Sequence, residues 1–298
     1  MLNKLIIKTM PLVPKPVIYM FAKKYIAGPK LEDAVRVTKE LMAEGGMSTI
    51  DVLGEFVETK ERAIHEKEMS KNVLDAISEH NLESYLSIKP TSVGLGIDEE
   101  FAFENVSELV SKARDLGLRV RIDMENSPYT TKTLKLYKRI RDAGYDNVGF
   151  VIQAYMKRSE DDIKSLLEYK PNVRLCKGIY VESPEIAYRD FKAVQENFKK
   201  LLRVLVEGGA YPAIATHDDD LLNDAEMYIK EKGMAREDYE FQMLLGVKDN
   251  KRAELISHGH RMRVYVPYGE DWYGYSFRRL KENPKMVNHI VKSIFTSE

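Results

Sequence analysis

The sequence predicts a (β/α)8 TIM barrel, and three features of the 298-residue chain support this fold class. Short runs rich in β-branched and aromatic residues alternate eight times with longer amphipathic stretches, as strands alternate with helices. Such alternation specifies parallel pairing through right-handed crossovers, and eight units close into a barrel. Glycines that would end helices stand before the strands, at Gly46, Gly117, Gly144, Gly209, Gly233 and Gly259.

The eight predicted strands span residues 49–53, 85–88, 118–124, 148–154, 173–179, 211–216, 239–245 and 262–266. Ser127-Pro128 and Ser183-Pro184 predict helix starts, because a serine cap followed by proline suits the first turn. An open doubly wound sheet is the competing fold, but Gly94-Leu95-Gly96 lacks the third glycine of the dinucleotide fingerprint. We therefore predict residues 1–46 as an N-terminal helical arm packed on the barrel and residues 47–298 as the barrel itself.

Composition argues against a nucleic-acid-binding protein and against a disulfide-bonded one. The chain has 46 basic and 47 acidic residues, so it offers no broad cationic face to a nucleic-acid backbone, and we expect no nucleic-acid partner. Cys176 is the single cysteine, which makes an intrachain disulfide impossible and indicates a reducing compartment, the cytoplasm.

The first thirty-one residues form a basic arm, in which six lysines precede the first acidic residue, Glu32. Its longest apolar run, residues 17–22, is too short to span a bilayer or to resemble a secretory signal. Two alternatives stay open. The arm is a helix that packs Ile18, Phe21 and Tyr25 on the barrel, or it makes peripheral contact with the anionic inner face of a membrane.

Polar side chains gather where the predicted strands end, which is the end of a barrel that holds the chemistry. They number more than a packed core requires, and they indicate a large polar ligand. The residues are Lys89, Asp123, Glu125, Gln153, Arg174, Lys177, Thr216, His217, Glu240, Gln242 and Tyr265.

The C-terminal segment places four polar or aromatic residues, Tyr275, Arg278, Arg279 and Glu282, on one helix face through the i, i+3, i+4, i+7 spacing. Two guanidiniums beside an aromatic ring and a carboxylate suit a bidentate clamp for a substrate carboxylate. This predicts an enzyme acting on an amino or hydroxy acid. The alternative is a surface helix in which Arg278 and Glu282 form a solvated ion pair.

Residues 173–180 form a predicted strand with two cations, Arg174 and Lys177, followed by Gly178. Positive groups stabilise a cofactor that becomes anionic on reduction, and a glycine allows close approach to the backbone. Ordinary salt bridging is the alternative. Cys176 has no histidine neighbour in sequence, so we do not expect it to be a nucleophile.

Two segments resemble metal sites, but we expect no metal. The run from Thr216 through His217 to Asp220 is equally typical of a helix N-terminus that collects acidic caps. His258 and His260 have the spacing that puts both imidazoles on one strand face, yet they precede the last strand, at the opposite end of the barrel. The sequence shows no obvious third ligand near them.

Together, four segments of the chain resemble the proline dehydrogenase family, flavin-dependent enzymes that oxidise L-proline to 1-pyrroline-5-carboxylate. The resemblance runs from the first strand to the C-terminus. Its segments are Gln153-Ala154-Tyr155, residues 174–180, Ala215-Thr216-His217 and residues 275–283, in the family's order.

The resemblance implies a distorted barrel whose last helix caps the mouth, non-covalently bound FAD, and a quinone as the final electron acceptor. Asp123 and Arg174 are the implied catalytic residues, with Arg174 at the flavin N5 edge. The implied proline contacts are Lys89, Leu244, Tyr265, Tyr275, Arg278, Arg279 and Glu282. The implied FAD contacts are Met124, Gln153, Arg174, Lys177, Gly178, Ile179, Thr216 and His217.

This sequence departs from the family pattern at Asp218, where asparagine is common, and at Cys176 and Ile179, where valine and alanine are common. Asp218 adds a negative charge near the expected phosphate side of FAD. Cys176 and Ile179 change only the side-chain volume at their positions. Two other functions remain as alternatives. One is a hydrolase or lyase with a metal at His217 and Asp219, and the other is a membrane-surface protein that keeps a carboxylate pocket without chemistry.

Overall fold

Eight parallel strands close into a barrel in the computed structural model, which describes residue 19 and residues 22–273. Each strand pairs with the next along the chain, and β8 pairs with β1. The strands are β1 Met47–Val52, β2 Ser84–Ile88, β3 Val120–Ile122, β4 Val148–Gln153, β5 Asn172–Cys176, β6 Tyr211–Ala215, β7 Glu240–Leu244 and β8 Met262–Tyr268. The predicted (β/α)8 fold and all eight strands are therefore confirmed.

Helices connect successive strands around the outside of the barrel. In the described residues they are α1 Leu31–Ala43, α2 Lys60–Glu79, α3 Glu99–Asp115, α4 Ser127–Asp142, α5 Ser159–Lys164, α6 Phe191–Glu207, α7 Asp219–Lys232 and α8 Asp249–Ser257. Their apolar faces and the outward side chains of the strands form one continuous core. None of the helices in this described part is long and apolar enough to cross a membrane.

Several predicted element boundaries are wrong, and two of them have clear local reasons. The fifth strand ends at Cys176 because Gly178 adopts φ +102°, outside the β region. Ser127 is the first residue of α4, and its backbone N and Oγ donate to Glu182 at 2.7 and 2.6 Å, so Asn126 occupies the cap position. Gly46 follows α1 and directly precedes β1, as predicted, and the positive φ at this helix end belongs to Gly45.

Ser183-Pro184 begins a turn and not a helix. The backbone N atoms of Ile186 and Ala187 donate to Ser183 O at 3.1 and 3.0 Å, and Ala187 then bridges back to Met156. The helix α6 begins later, where Asp190 accepts from Ala193 N at 2.8 Å. The β5–α6 connection is therefore a long loop at the C-terminal end of the barrel.

The described part of the N-terminal segment packs on the barrel between β1 and β8. Ala22 and Ile26 are buried with Leu53, and the Tyr19 ring meets Trp272 edge-on at 5.0 Å. Tyr25 is half-buried, while the other two predicted packing residues, Ile18 and Phe21, lie outside the described residues. Ala27 N donates to Pro267 O at 2.9 Å, which ties this segment to the end of β8.

The barrel interior contains charged side chains below the mouth. Arg263 is 2% exposed, and its Nε donates to both oxygens of Glu240 at 2.9 and 3.1 Å. Arg121 is 1% exposed, and its Nη1 donates to the backbone O atoms of Phe150 and Asn172 at 2.8 and 2.9 Å. Glu240 therefore lies at the start of β7, paired within the barrel, and not at the mouth as the sequence predicted.

Candidate active site

Charged side chains converge at the C-terminal ends of the strands, centred on Asp123. This carboxylate follows β3, and Oδ1 accepts from Arg174 Nη1 at 2.6 Å and from Ser87 Oγ at 2.9 Å. Its other oxygen, Oδ2, accepts from Tyr265 OH at 3.1 Å. Three donors from three strands hold Asp123 in one orientation, as expected for a residue that organises a site.

Arg174 is 8% exposed and is fixed by two charged or polar partners. Its Nε donates to Gln242 Oε1 at 2.6 Å, in addition to the Nη1 bond to Asp123, and its guanidinium lies 5.2 Å from the centre of the Tyr265 ring. The third nitrogen, Nη2, is buried and has no hydrogen-bond partner among the described residues. A buried guanidinium donor without a partner is costly, so Nη2 fits a ligand acceptor at the mouth.

Lys89 forms a buried ion pair that the sequence analysis missed. Its Nζ donates to both oxygens of Asp51 at 2.8 and 2.7 Å, with Asp51 1% exposed near the end of β1. Desolvation alone would lower the pKa of Lys89, but Asp51 and Asp123 outweigh it and raise that pKa. Burial raises the pKa of Asp51 to about 6, against the attraction of Lys89. A carboxylate within a strand that is buried almost throughout was the available signal for Asp51.

Glu125 lies beneath this group and is nearly fully buried. It accepts from Thr91 through both the backbone N, at 2.9 Å, and Oγ1, at 2.5 Å. Desolvation raises the pKa of Glu125 to about 7 despite these two bonds. Glu125 therefore supports the loop after β2, and its charge changes near neutral pH.

A second polar group lines the β5–α6 side of the mouth. Lys177 Nζ donates to Asp218 Oδ2 at 3.0 Å, and Gln195 Nε2 donates to both oxygens of Asp218 at 3.1 and 3.0 Å. Desolvation would raise the pKa of Asp218, but these donors and Lys177 in particular lower it. The extra negative charge noted in the sequence is therefore paired inside the protein.

Four other predicted cofactor residues line the same rim. His217 Nε2 accepts from Leu244 N at 2.9 Å, and Thr216 Oγ1 accepts from Asp218 N at 3.1 Å. Gln153 Nε2 donates to Met124 O at 3.3 Å. These bonds join the end of β4 to the loop after β3, and the loop after β6 to the end of β7.

Gly178 and Ile179 complete this rim. A Cβ added to Gly178 would lie 2.1 Å from Cδ1 of the Tyr155 ring, so this position requires glycine for both space and conformation. Ile179 is 41% exposed and directs an apolar side chain outward. The backbone of the β5–α6 loop is thus closely packed at Gly178 and open at Ile179.

The predicted carboxylate clamp lies outside the described residues. Tyr275, Arg278, Arg279 and Glu282 all fall after residue 273, as does the predicted helix that would cap the mouth. The structure thus brings together the predicted residues Lys89, Asp123, Arg174 and Tyr265, and it places Leu244 beside His217.

The proposed metal at His217 and Asp219 finds no cluster in the described residues. His217 accepts from a backbone N–H, and Asp219 pairs with Lys248 at 2.6 Å. The expectation that His258 and His260 lack a third ligand is wrong, because Glu226 of α7 lies against both imidazoles. Desolvation raises the pKa of the Cys176 thiol to about 11, which agrees with an unreactive cysteine.

Comparison with known proteins shows which family the chain is similar to. A family model described as proline dehydrogenase matches residues 34–292. Proline dehydrogenase 1 of Bacillus subtilis is 38% identical over 92% of this chain and 90% of its own length. Proline dehydrogenase of Deinococcus radiodurans is 32% identical over 92% of this chain and 89% of its own length.

A solved structure shares the fold. Proline utilization A from Bdellovibrio bacteriovorus, inactivated by N-propargylglycine, superposes with a TM-score of 0.82 at 24% identity, over 88% of this chain and 32% of that one. The fold, the polar mouth and the extent of the family match lead to one conclusion: the chain belongs to the proline dehydrogenase family.

Proposed function

We propose that this chain oxidises L-proline to 1-pyrroline-5-carboxylate with non-covalently bound FAD, and that the electrons then pass to a quinone. Family membership supports proline as the substrate and leaves the metal-dependent hydrolase or lyase without support. The observation that favours a flavin at this mouth is Arg174, whose buried Nη2 lacks a protein partner among the described residues.

The residues at the β5–α6 side of the mouth fit FAD. When bound, FAD supplies a two-electron acceptor for a hydride from the substrate. Arg174 Nη2 would donate to its ring edge, and the rim that we propose to hold the remainder consists of Met124, Gln153, Lys177, Gly178, Ile179, Thr216 and His217. Positive charge from Arg174 favours the reduced, anionic form, because charge develops there during the reaction.

The opposite side of the mouth would hold proline. Lys89 keeps its charge at neutral pH. Its ammonium has three donors, so beside its two bonds to Asp51 it would have one donor for a substrate carboxylate. Arg278 and Arg279, with Glu282 to orient them, would complete the carboxylate clamp, while Tyr275, Leu244 and Tyr265 would pack around the ring. Fixing the carboxylate presents the ring carbon next to nitrogen to the acceptor, so positioning supplies most of the catalysis.

Asp123 would act by positioning. It accepts from Arg174, Ser87 and Tyr265, which come from three different strands, and so it sets the distance between the cofactor side and the substrate side. The amine nitrogen of proline must be neutral for its lone pair to assist hydride loss. Water can accept the proton that the amine loses, so the proposal needs no protein carboxylate as a base.

Electron transfer to a quinone and contact with a membrane are further parts of the proposal. The lysines of the basic N-terminal arm would attract an anionic leaflet and so hold a cytoplasmic enzyme at the membrane that contains the lipid-soluble quinone. Vesicles with and without anionic lipid test this part by sedimentation, with deletion of residues 1–18 as the variant. Equal sedimentation of the full chain and the deletion variant with anionic vesicles would contradict the membrane contact.

The visible spectrum tests the central proposal. We expect the purified chain to be yellow and to bleach when L-proline is added without oxygen. Arg174→Lys keeps the positive charge but removes the planar guanidinium with its several donors. We expect kcat/KM to fall about 100-fold, as for the loss of one oriented donor. Arg203→Lys is the matched control, since Arg203 also pairs bidentately, with Asp224 at 2.6 and 3.0 Å, but on the outer helices.

A colourless preparation that binds no added FAD, or a yellow one that L-proline does not bleach, would contradict the proposal. Equal kcat/KM in Arg174→Lys and in the control would contradict the role of Arg174 alone.

A further inference from the structure

Three potential metal ligands meet at the end of the barrel opposite the mouth. Glu226 lies on α7, His258 follows α8, and His260 precedes β8. Glu226 Oε1 lies 3.2 Å from His258 Nδ1 and 3.1 Å from His260 Nε2, and all three ligand atoms lie within 4.8 Å of one another. These residues come from two separate connections and have no part in the site at the mouth.

The distances match tetrahedral coordination. Ligand atoms about 2.0–2.1 Å from Zn²⁺ are about 3.3 Å apart along the edge of a tetrahedron. Both measured separations from the Glu226 oxygen agree with that edge within about 0.2 Å. The third pair of atoms, one nitrogen from each imidazole, lies within 4.8 Å, and His258 is the more exposed of the two rings.

His260 is already oriented as a ligand. Its Nδ1 lies 2.7 Å from Tyr239 OH, so its Nε2 is directed toward Glu226. The ring also meets Phe241 edge-on at 5.0 Å, which restricts its rotation. Metal-bound histidines typically use their second nitrogen in this way, and that bond fixes both the tautomer and the ring orientation.

The carboxylate is available to both imidazoles. Lys251 contacts the other oxygen of Glu226, Oε2, at 3.8 Å, but lies closer to Glu254, at 2.7 Å. The side chain of His258 is 51% exposed, while those of His260 and Glu226 are 15% and 21% exposed. Solvent can therefore fill the fourth coordination position.

We propose that Glu226, His258 and His260 bind one Zn²⁺ or a similar divalent transition metal, which ties α7 to the α8–β8 connection. Two imidazoles favour such a metal over Mg²⁺ or Ca²⁺, which prefer oxygen ligands. Because the site lies at the end of the barrel away from the mouth, its role is structural, and proline oxidation does not depend on it.

The test is a Zn²⁺ titration of the full flavin-loaded chain against a chromogenic chelator, after removal of metal with EDTA. We expect one Zn²⁺ per chain, with affinity at least about tenfold lower in His260→Asn and in Glu226→Gln. Tyr239→Phe keeps all three ligands and should weaken binding about tenfold through loss of the orienting bond. His80→Asn, an exposed histidine far along the sequence, is the control and should bind as the wild type does.

Co²⁺ provides a second measurement, because its visible bands report tetrahedral nitrogen and oxygen ligands independently of activity. Turnover of L-proline should be unchanged by metal in every variant, which also shows that each variant is folded. Absence of stoichiometric Zn²⁺ binding would overturn the proposal and leave a hydrogen-bonded cluster of two histidines and a glutamate. Binding that survives in both His260→Asn and Glu226→Gln would also overturn it.

Discussion

Breaking the ion pair between Asp51 and Lys89 should be among the most destabilising changes at the mouth. The ammonium lies 2.7 and 2.8 Å from the two carboxylate oxygens, and the two side chains are 1% and 10% exposed. At these distances the attraction is about 6 kcal/mol for an effective dielectric constant of 20, before the cost of desolvation. Removing one member leaves the other charge buried without its partner.

We expect Asp51→Asn and Lys89→Met each to lower the free energy of unfolding by about 3–5 kcal/mol. The double variant has no unpaired charge and should lose about 3 kcal/mol less than the sum of the two single losses, and this difference is the coupling energy. Urea unfolding at pH 7, followed by far-ultraviolet circular dichroism, measures all four proteins. The single variants should also turn over proline poorly, since Lys89 is then displaced or absent.

The matched control is the surface pair of Arg36 and Glu40, which are 2.9 Å apart with side chains 56% and 59% exposed. Its cycle, from Arg36→Met and Glu40→Gln, should give a coupling of about 0.3–0.5 kcal/mol. A coupling for Asp51 and Lys89 no larger than that of the surface pair would refute the reasoning, because burial would then add nothing to the interaction.

Three other outcomes follow from the same geometry. Burial raises the pKa of Glu125 to about 7, so the folded protein holds a proton here that the unfolded chain has lost above about pH 4.3, and this group should lower stability by up to about 1.4 kcal/mol per pH unit between pH 5 and 7. Urea unfolding of Glu125→Gln should show a shallower slope than the wild type, most clearly above pH 6, where Asp51 adds little further slope. Gly178→Ala, at φ +102° and against the Tyr155 ring, should lower thermal stability and FAD content together. Asp218→Asn frees Lys177 from its ion pair, so FAD should bind more tightly in a fluorescence titration.

Each of these has a control and a contradicting result. For Glu125→Gln the control is Glu61→Gln on the exposed side of α2, and parallel slopes in wild type and Glu125→Gln would contradict the assigned proton. For Gly178→Ala the control is Gly144→Ala, which also has a positive φ but no atom within 4 Å of the added Cβ; equal losses in the two would show that conformation alone matters. Unchanged or weaker FAD binding in Asp218→Asn would contradict a competition for Lys177.

The order of strands and helices was predictable because each depends on local spacing. Apolar runs, helix-ending glycines and the cations Arg174 and Lys177 in and directly after β5 are visible within a few residues. The structure also brings the predicted residues Lys89, Asp123 and Arg174 together, since Lys89 and Asp123 directly follow β2 and β3, Arg174 lies within β5, and the carboxyl ends of barrel strands meet.

The partners of these side chains could not be predicted. Lys89 meets Asp51 across 38 residues of sequence, and Arg174 meets Gln242 across 68. Such pairs depend on the register between neighbouring strands and on side-chain length, neither of which a single sequence specifies. For the same reason the contact of Glu226 with His258 and His260, 32 and 34 residues away in sequence, could not be predicted.

The charged interior also restricts how the pocket can be altered. Arg263 holds Glu240, Glu240 accepts from Gln242 Nε2 at 2.5 Å, and Gln242 in turn holds Arg174. Substituting Gln242 to resize the mouth for another imino acid would remove the acceptor of Arg174 Nε and leave that guanidinium less well oriented. Variant libraries should therefore keep these four hydrogen-bonded side chains constant, or change all four together.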